Sequence, residues 1–569
     1  MTRVNAIDRV LKAAVFAAAM SAALPPGAAA APDGAGQRRP MLLQIMWDGA
    51  RADCLENCCL TNLRKLAYGK WMPGYKGAWS VCGKPIEDAR PYSYANHASL
   101  LNGVTAAKHD VYYNHHIKRC RVKEWPAWPT RLLDARPDLK VLYISPVWCL
   151  CADSRAELKR LRAGGAQNEL AKADFLASRY ASDAAPDAAL LFLDAPDDSG
   201  HYEGFFPISS GYRKAVETND IGLGKILDAI AARPTFDQED WLIMMTSDHG
   251  GYYRTHGWLD DHSRTTPVIL AGRHVVDGQM AGFPGGIDLP PTALAHFGID
   301  VSKMNLDGRV IGHEAASWKA APNLRDALTW YYPGENANRF CLDNAVPGGP
   351  GAQLIGNEQF FSSLRTNDTF FKTPFMSISG AEDAPCGARL EDSADMFVAP
   401  HPAFTISFWA RLFPKEGNPF ILGNKDFARA GSPGFVICQN GRTERSGKGV
   451  TVVYGTPEGR DVTVGTFDTE FDKWAFYAVV GTPEGQLWLY QGRSDGMFHW
   501  ICGKAEKSLL GSGLPLHLGQ DGTGTWKWNF DGFLDDVAIW RRPLEMREVK
   551  RIYDCGRKGQ QLKDIAPVN

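Results

Sequence analysis

Between residues 41 and about 312, short apolar runs alternate with stretches of helical periodicity. Leu42-Leu43-Gln44-Ile45-Met46, Val141-Leu142-Tyr143-Ile144, Ala189-Leu190-Leu191-Phe192-Leu193 and Leu242-Ile243-Met244-Met245 are apolar at nearly every position. Strands buried on both faces of a parallel sheet read this way. Residues 156–162 and 212–232 supply helical spacing between them. This alternation predicts an α/β fold, a layered domain with a mostly parallel central sheet. Ligands in such sheets gather beyond the carboxyl ends of the strands. Asp48, then Asp194 and Asp197, then Asp248 and His249 each follow one of these runs at that end.

Past about residue 323 the pattern changes. Residues 404–410, 450–454, 474–480, 487–490 and 535–540 are strand-like, and several of them alternate. Gly423-Asn424 and Gln439-Asn440-Gly441 separate the runs as turn residues. The prediction is an antiparallel β-sandwich, or jelly roll. "FTISFWARL", "WAFYAVV", "LHLGQ" and "FDGFLDDVAIWRRPLEMREVKRIY" resemble laminin-G-like, concanavalin-A-like modules over roughly residues 324–560. The last of these segments reads as a closing strand followed by a short helix. Trp409, Trp474, Trp488 and Trp540 invite a sugar-stacking reading, but aromatic residues on alternating strands are more often core.

The N-terminus has a separate character. Arg3, Arg9 and Lys12 precede an apolar, alanine-rich stretch over residues 13–24, followed by Pro25, Pro26 and small residues to Ala31. A basic head, a short apolar middle and an Ala-x-Ala-like exit describe a secretory signal peptide over residues 1–31. The stretch falls short of the roughly 20 residues a membrane helix needs, and no later run is long and apolar enough to span. The expectation is an exported protein, periplasmic or secreted if bacterial. Its parts are a catalytic domain over 40–313, a linker over 314–323 and the β-sandwich over 324–560. All 12 cysteines lie beyond the signal segment, and an exported compartment favours disulfides. The formal net charge of -2 over 569 residues gives no reason to expect nucleic-acid binding through bulk electrostatics.

The chemistry concentrates in a few motifs. "PDDSGH" supplies Asp197 and His201, and its Pro196 and Gly200 argue for a loop rather than a helix. "TSDHGG" gives adjacent Asp248 and His249, and "THG" places His256 seven residues beyond His249. Carboxylate oxygen and imidazole nitrogen are suitable ligands for zinc and related ions. One such residue is commonly structural: an aspartate at a strand end often caps the next helix. Asp and His recurring at several strand ends point instead to a metal centre.

"RPYSYANHASLLNGV" adds a nucleophile. Ser93, Asn96-His97, the Leu100 to Gly103 turn and "HDVYYN" ending at Asn114 resemble the alkaline phosphatase superfamily, especially its nucleotide pyrophosphatase/phosphodiesterase branch. The resemblance covers roughly residues 41–312. It implies one metal held by Asp48, Ser93, Asp248 and His249, and a second held by Asp197, His201 and His256. The ions would be divalent, zinc foremost, and would activate Ser93 for attack through a phosphoserine. Asn114 would donate to a phosphoryl oxygen. Three features depart from the branch: Ser93 and Ala95 stand where Thr and Pro are usual, His109-Asp110 stands for His-Gly, and His262 competes with His256. Asp194 likewise competes with Asp197, which alone has the spacing to His201.

The implied substrate is a small phosphate ester, with a diester preferred. A phosphomonoesterase or phosphonate hydrolase of the same superfamily is the alternative, with Lys108, Arg254 and Arg264 as candidate extra cations. Sulfatases need a Cys/Ser-x-Pro-x-Arg context that Ser93-Tyr94-Ala95-Asn96-His97 lacks. A reading of another class is a non-catalytic protein that binds carbohydrate or protein through the β-sandwich. The complete set of candidate ligands argues against it.

Overall fold

Every apolar run of the first half becomes a strand whose alternate side chains feed two different cores. In the computed structural model, β1 (Arg39–Trp47), β2 (Lys76–Gly83), β3 (Val141–Ile144), β4 (Glu157–Lys159), β5 (Ala188–Leu193), β6 (Glu239–Thr246), β7 (Thr266–Gly272) and β8 (Gly278–Gln279) form one sheet. Its order is β4-β3-β5-β1-β6-β7-β2-β8. The residues described are 38–83, 90–145, 153–159, 166–258, 260–318, 320–334, 342–356, 361–364, 375–379, 386–399, 401–415, 417–440, 449–504, 509–526, 528 and 530–566. The proposed signal segment, residues 1–31, lies outside them.

β1, β3, β4 and β5 pair in parallel, with Leu42 opposite Ala188 and Trp47 opposite Leu193. β7 runs antiparallel to both β6 and β2, while β8 is parallel to β2. On β1, Leu43, Ile45 and Trp47 face one core while Leu42 and Met46 face another. On β6, Trp241, Ile243 and Met245 divide from Leu242 and Met244 in the same way. A sheet apolar on both faces needs cover on both.

Two local expectations are corrected. The helical spacing over 156–162 gives way to β4, which pairs with Leu142, Tyr143 and Ile144 of β3; residues 160–162 lie outside the described part. So short a segment gains little as a lone helix, whereas the edge of β3 offers ready backbone partners. Gln439 and Asn440 of the expected turn belong instead to the strand Phe435–Asn440, which still pairs at Asn440 with Gly449; Gly441 lies outside the described residues.

The second half is two antiparallel sheets. One runs Ala352–Ile355, Gly387–Leu390, His517–Leu518, Phe420–Gly423, Phe435–Asn440, Gly449–Gly455 and Asp461–Asp468 in spatial order. The other runs Phe361–Leu364, Phe375–Ser379, Asp531–Trp540, Phe404–Leu412, Trp474–Gly481, Gln486–Gly492 and Phe498–Lys504, with Leu328–Tyr332 also beside Asp531–Trp540. Ala475, Tyr477 and Val479 point into the space between the sheets, and Trp474, Phe476, Ala478 and Val480 point outward. The outward set is buried too, because it joins the core that continues into β1, β6 and the helix Ser210–Ala231. Pro40–Asn569 is accordingly one compact unit. Trp409, Trp474, Trp488 and Trp540 all belong to that core, as their spacing predicts.

The disulfide expectation is corrected where the chain is described. Cys54, Cys58, Cys59, Cys438 and Cys555 are thiols. Cys438 sits among Phe420, Val436, Phe427, Val453 and Trp526, with no second cysteine in that cluster. Cys149, Cys151, Cys341 and the Cys82 side chain lie outside the described part. Among the described residues, no helix is long and apolar enough to cross a membrane.

Candidate active site

Three strand ends are knitted together by backbone before any ligand residue is considered. Asp48 follows β1 directly, and its N–H donates to Leu193 O at the end of β5 (2.8 Å). Gly49 has φ +71°, and a Cβ there would lie 2.8 Å from Asp197 Cα. Only glycine lets the turn after β1 approach the Asp197 backbone so closely in this left-handed conformation. Gly49 N–H donates to Asp248 Oδ1 (3.2 Å), and Ala50 N–H donates to Ser247 Oγ (2.9 Å). Asp248 is thus pinned by one oxygen and offers the other.

"PDDSGH" is a helix, Ala195–Glu203, and not the loop its proline and glycine suggested. Pro196 lies in the first turn, where no intrahelical donor is lost. Gly200 lies against Phe205, whose Cε1 would be 2.4 Å from an added Cβ. With a helix between them, Asp197 and His201 sit one turn apart on the same face.

The three histidines are prepared alike. His201 Nδ1 lies 3.0 Å from Arg254 O, His249 Nδ1 lies 2.7 Å from Gly250 O, and His256 Nδ1 lies 2.8 Å from Pro91 O. A backbone carbonyl accepts only from an N–H, so each ring carries a proton on Nδ1 and turns its Nε2 towards the site. Gly257, at φ +90°, lets the His256 loop come close: a Cβ there would meet Tyr92 Cε1 at 2.4 Å.

Two ligand groups result. Asp48, Asp248 and His249 offer atoms that all lie within 4.8 Å of one another, as do Asp197, His201 and His256. His249 Nε2 is 3.4 Å from Asp48 Oδ1, 3.3 Å from Asp248 Oδ2 and 3.9 Å from Asp197 Oδ1. Asp197 Oδ1 is in turn 3.5 Å from His201 Nε2 and 3.7 Å from His256 Nε2. Ser93 Oγ, at the start of the helix Ser93–Asn102, lies 3.0 Å from His249 Nε2. The competing residues lie elsewhere. His262 Nδ1 faces Arg51 (3.1 Å), Asp194 Oδ2 accepts from the fully buried Lys172 (2.7 Å), and Lys108 is held by Asp307.

The electrostatics fit divalent cations. Asp48 Oδ1 and Asp197 Oδ1 are buried and accept no hydrogen bond. Burial pushes the Asp48 carboxyl well above its usual range, and repulsion from Asp248 and Asp197 adds to the shift. Burial also raises Asp197, against the pull of His249 and His201. Asp248 is held low despite its burial by His249 and His97. Burial drives His256 down to about 3, reinforced by His249, which keeps its ring neutral. Buried carboxylates with unsatisfied oxygens, beside imidazole Nε2 atoms, offer the kind of donors a metal centre uses.

Asn114 begins a short 3-10 turn, Asn114–Arg119, and its Oδ1 accepts from Tyr94 N–H (3.0 Å). That bond ties it to the residue after Ser93 and leaves the amide hydrogens on the other side. Asp110, where the resembled pattern has glycine, adopts φ +65° and pairs with Arg119.

No protein-family model and no curated protein matches the sequence. Among solved structures, similarity extends to a putative sulfatase from Bacteroides thetaiotaomicron, at 11% identity and TM-score 0.38, over 62% of this chain and 83% of that one. Murine ectonucleotide pyrophosphatase/phosphodiesterase 5 is 14% identical with TM-score 0.36, over 46% of this chain and 95% of that one. Domain 4 of an extracellular arabinanase from Geobacillus stearothermophilus is 16% identical with TM-score 0.29, over 39% of this chain and 97% of that one. At such values nothing those proteins do is transferred to this chain.

Two residues of the site carried no role in the sequence reading. His97 is 1% exposed, with Nε2 3.2 Å from Asp48 Oδ2 and 3.1 Å from Asp248 Oδ2. Burial alone would lower its pKa, but the two carboxylates raise it to about 10. The signal was its spacing: four residues after Ser93, it shares a helical face with that serine. Arg51, in the turn after β1, is buried among backbone carbonyls of the ligand loops. No spacing in the sequence announced it.

Proposed function

We propose that this chain is an exported, metal-dependent phosphate-ester hydrolase of the alkaline phosphatase superfamily, acting on phosphodiesters through Ser93. The observation that carries the reading is the convergence of the Asp48/Asp248/His249 and Asp197/His201/His256 groups beside the Ser93 hydroxyl, with Nε2 of all three histidines presented to the site. Asp48, Ser93, Asp248 and His249 would hold one divalent ion, zinc foremost, and Asp197, His201 and His256 the other. Such ions supply Lewis-acid charge at the attacking and leaving oxygens of an in-line displacement.

The chain's own residues do the rest. Ser93 stands at the first turn of its helix, where the N-terminal end favours an anionic phosphoryl group. Its Oγ bonds to phosphorus as the bond to the leaving alcohol breaks. A water oxygen then replaces Oγ at phosphorus, and the serine hydroxyl is restored as the phosphomonoester leaves. Asn114, oriented through Tyr94, donates its amide hydrogens to a phosphoryl oxygen as charge develops there. His97 stands behind Asp48 and Asp248 and fixes their orientation. Lys108, one of the cations a monoesterase could use for a dianion, is engaged by Asp307.

The purified protein is expected to contain about two divalent ions per chain and to hydrolyse an aryl phosphodiester faster than the corresponding monoester or sulfate. Ser93→Ala should abolish turnover with metal content largely retained, measured by elemental analysis and release of the aryl alcohol. Full activity in Ser93→Ala would remove the nucleophile assignment, and a metal-free wild type would remove the whole reading.

A further inference from the structure

A buried ionic cluster that the proposed chemistry does not use joins the turn after β1 to the β-sandwich. Arg51 is 2% exposed. Its Nη1 donates to Phe205 O (2.9 Å) and Gly251 O (3.3 Å), and its Nε and Nη2 form a fork with both oxygens of Asp53 (2.9 and 2.6 Å). Phe205 follows the helix that carries Asp197 and His201. Gly251 lies between His249 and His256. One guanidinium therefore ties together the two segments that bring the second ligand group into place. Phe205 N–H donates to Tyr253 O across the same junction (2.6 Å).

Arg51 is held in turn by Asp53, and Asp53 has a partner from the far half of the chain. His499, on the outer strand Phe498–Lys504 of the sandwich, places Nδ1 3.0 Å from Asp53 Oδ2. Burial works against the Asp53 charge, yet Arg51 and His499 together hold its carboxyl well below the usual range. Burial lowers the His499 pKa, so its ring is neutral near pH 7 and donates through Nδ1–H. A small pocket bounded by Arg51, Asp53, His262 and Trp500 adjoins the pair. Removing the His499 donor would thus take one of the two donors from the buried Asp53 Oδ2 and leave it to Arg51 Nη2 alone, loosening the fork that holds the guanidinium.

We propose that His499 is a positioning residue: through Asp53 and Arg51, the β-sandwich fixes the segments at Phe205 and Gly251 that bring His201 and His256 into place. The catalytic consequence rests on the function proposed above, but the mechanical part does not. Support behind metal ligands commonly changes metal affinity or activity by about 10–100-fold; here it is relayed through Asp53, Arg51 and the backbone of residues 205 and 251.

Hydrogen exchange on the intact protein tests it. His499→Phe keeps the ring and its packing but has no donor, and should accelerate exchange about tenfold or more in residues 203–206 and 249–256 only. His499→Asn, which returns an N–H near the Nδ1 position, should restore exchange to within about threefold of wild type. Gln486→Ala cuts a different bond across the same seam, Gln486 Nε2 to Gly282 O, and should leave both segments unchanged. Unaltered exchange in His499→Phe would overturn the proposal. So would acceleration spread over the whole chain, or equal acceleration in Gln486→Ala. The activity arm reads kcat/KM for an aryl phosphodiester, expected to fall about 10–100-fold in His499→Phe and to recover in His499→Asn. A wild type that hydrolyses nothing defeats the proposed function while the exchange arm still decides the role of His499.

Discussion

Asn114 has one half of its amide committed and the other half available, and that division makes its role testable. Its Oδ1 accepts from Tyr94 N–H, so the amide cannot rotate without losing a bond next to the nucleophile. A donor fixed in this way contributes most when phosphoryl charge peaks, in the transition state. Asn114→Ala is therefore expected to lower kcat by about 10²–10³-fold with little change in KM. Steady-state kinetics on an aryl phosphodiester checks this; a loss confined to KM would assign Asn114 to ground-state binding. The gathering of Asp48, Ser93, Asp197, His201, Asp248, His249 and His256 was legible in the sequence because their order along the chain is distinctive. Arg51 was not, since its partners are backbone carbonyls at positions 205 and 251 and a histidine at 262, with Asp53 bridging it to a histidine at 499. Main-chain acceptors leave no trace in side-chain pattern.

The elements separate along the same physical line. Strands buried on both faces could be read directly, because a short run that is apolar at every position suits a strand covered on both sides and little else. The helix Ala195–Glu203 could not, since proline is harmless only at a first turn and glycine is useful only where another side chain needs the space. The stretch from the Ser93 helix to Asn114 is a third case. It passes through the short helix Ala106–His109, where His109 is fully buried. Its Nδ1 accepts from Val111 N–H (3.1 Å), so its Nε2–H faces Ser99 Oγ (2.8 Å). Burial lowers its pKa to about 4. The unfolded chain takes up the proton first, near pH 6.5, so the neutral ring's contribution is complete above that value. It is lost as the pH falls from about 6.5 to about 4, to a total of about 3 kcal/mol. Urea unfolding at pH 7.5 and pH 4.5 should show this loss in the wild type and much less of it in His109→Gln. An identical pH dependence in the two proteins would remove His109 from the account.

At the scale of the whole molecule, the sequence divides at about residue 323 in texture, but the packing does not divide there. The same alternation that fills the sandwich with Ala475, Tyr477 and Val479 sends Trp474, Phe476 and Val480 outward, into a core shared with Ile45, Trp47, Tyr212 and Met245. An aromatic face of that size cannot be left in water without association. Polar contacts close the same seam: Asn57 Nδ2 donates to Phe498 O (2.7 Å), Phe498 N–H donates to Asn57 Oδ1 (2.8 Å), and Trp500 Nε1 donates to Val81 O (3.2 Å). Two halves that share a core lose it together, so calorimetry of the intact protein should give one unfolding transition, with calorimetric and van't Hoff enthalpies in agreement. A fragment ending at residue 323 should show no cooperative melt and should bind a hydrophobic dye, because the outward face of its core has lost its cover. Two separate transitions in the intact chain, or a fragment that melts cooperatively as a monomer, would show that the halves fold independently.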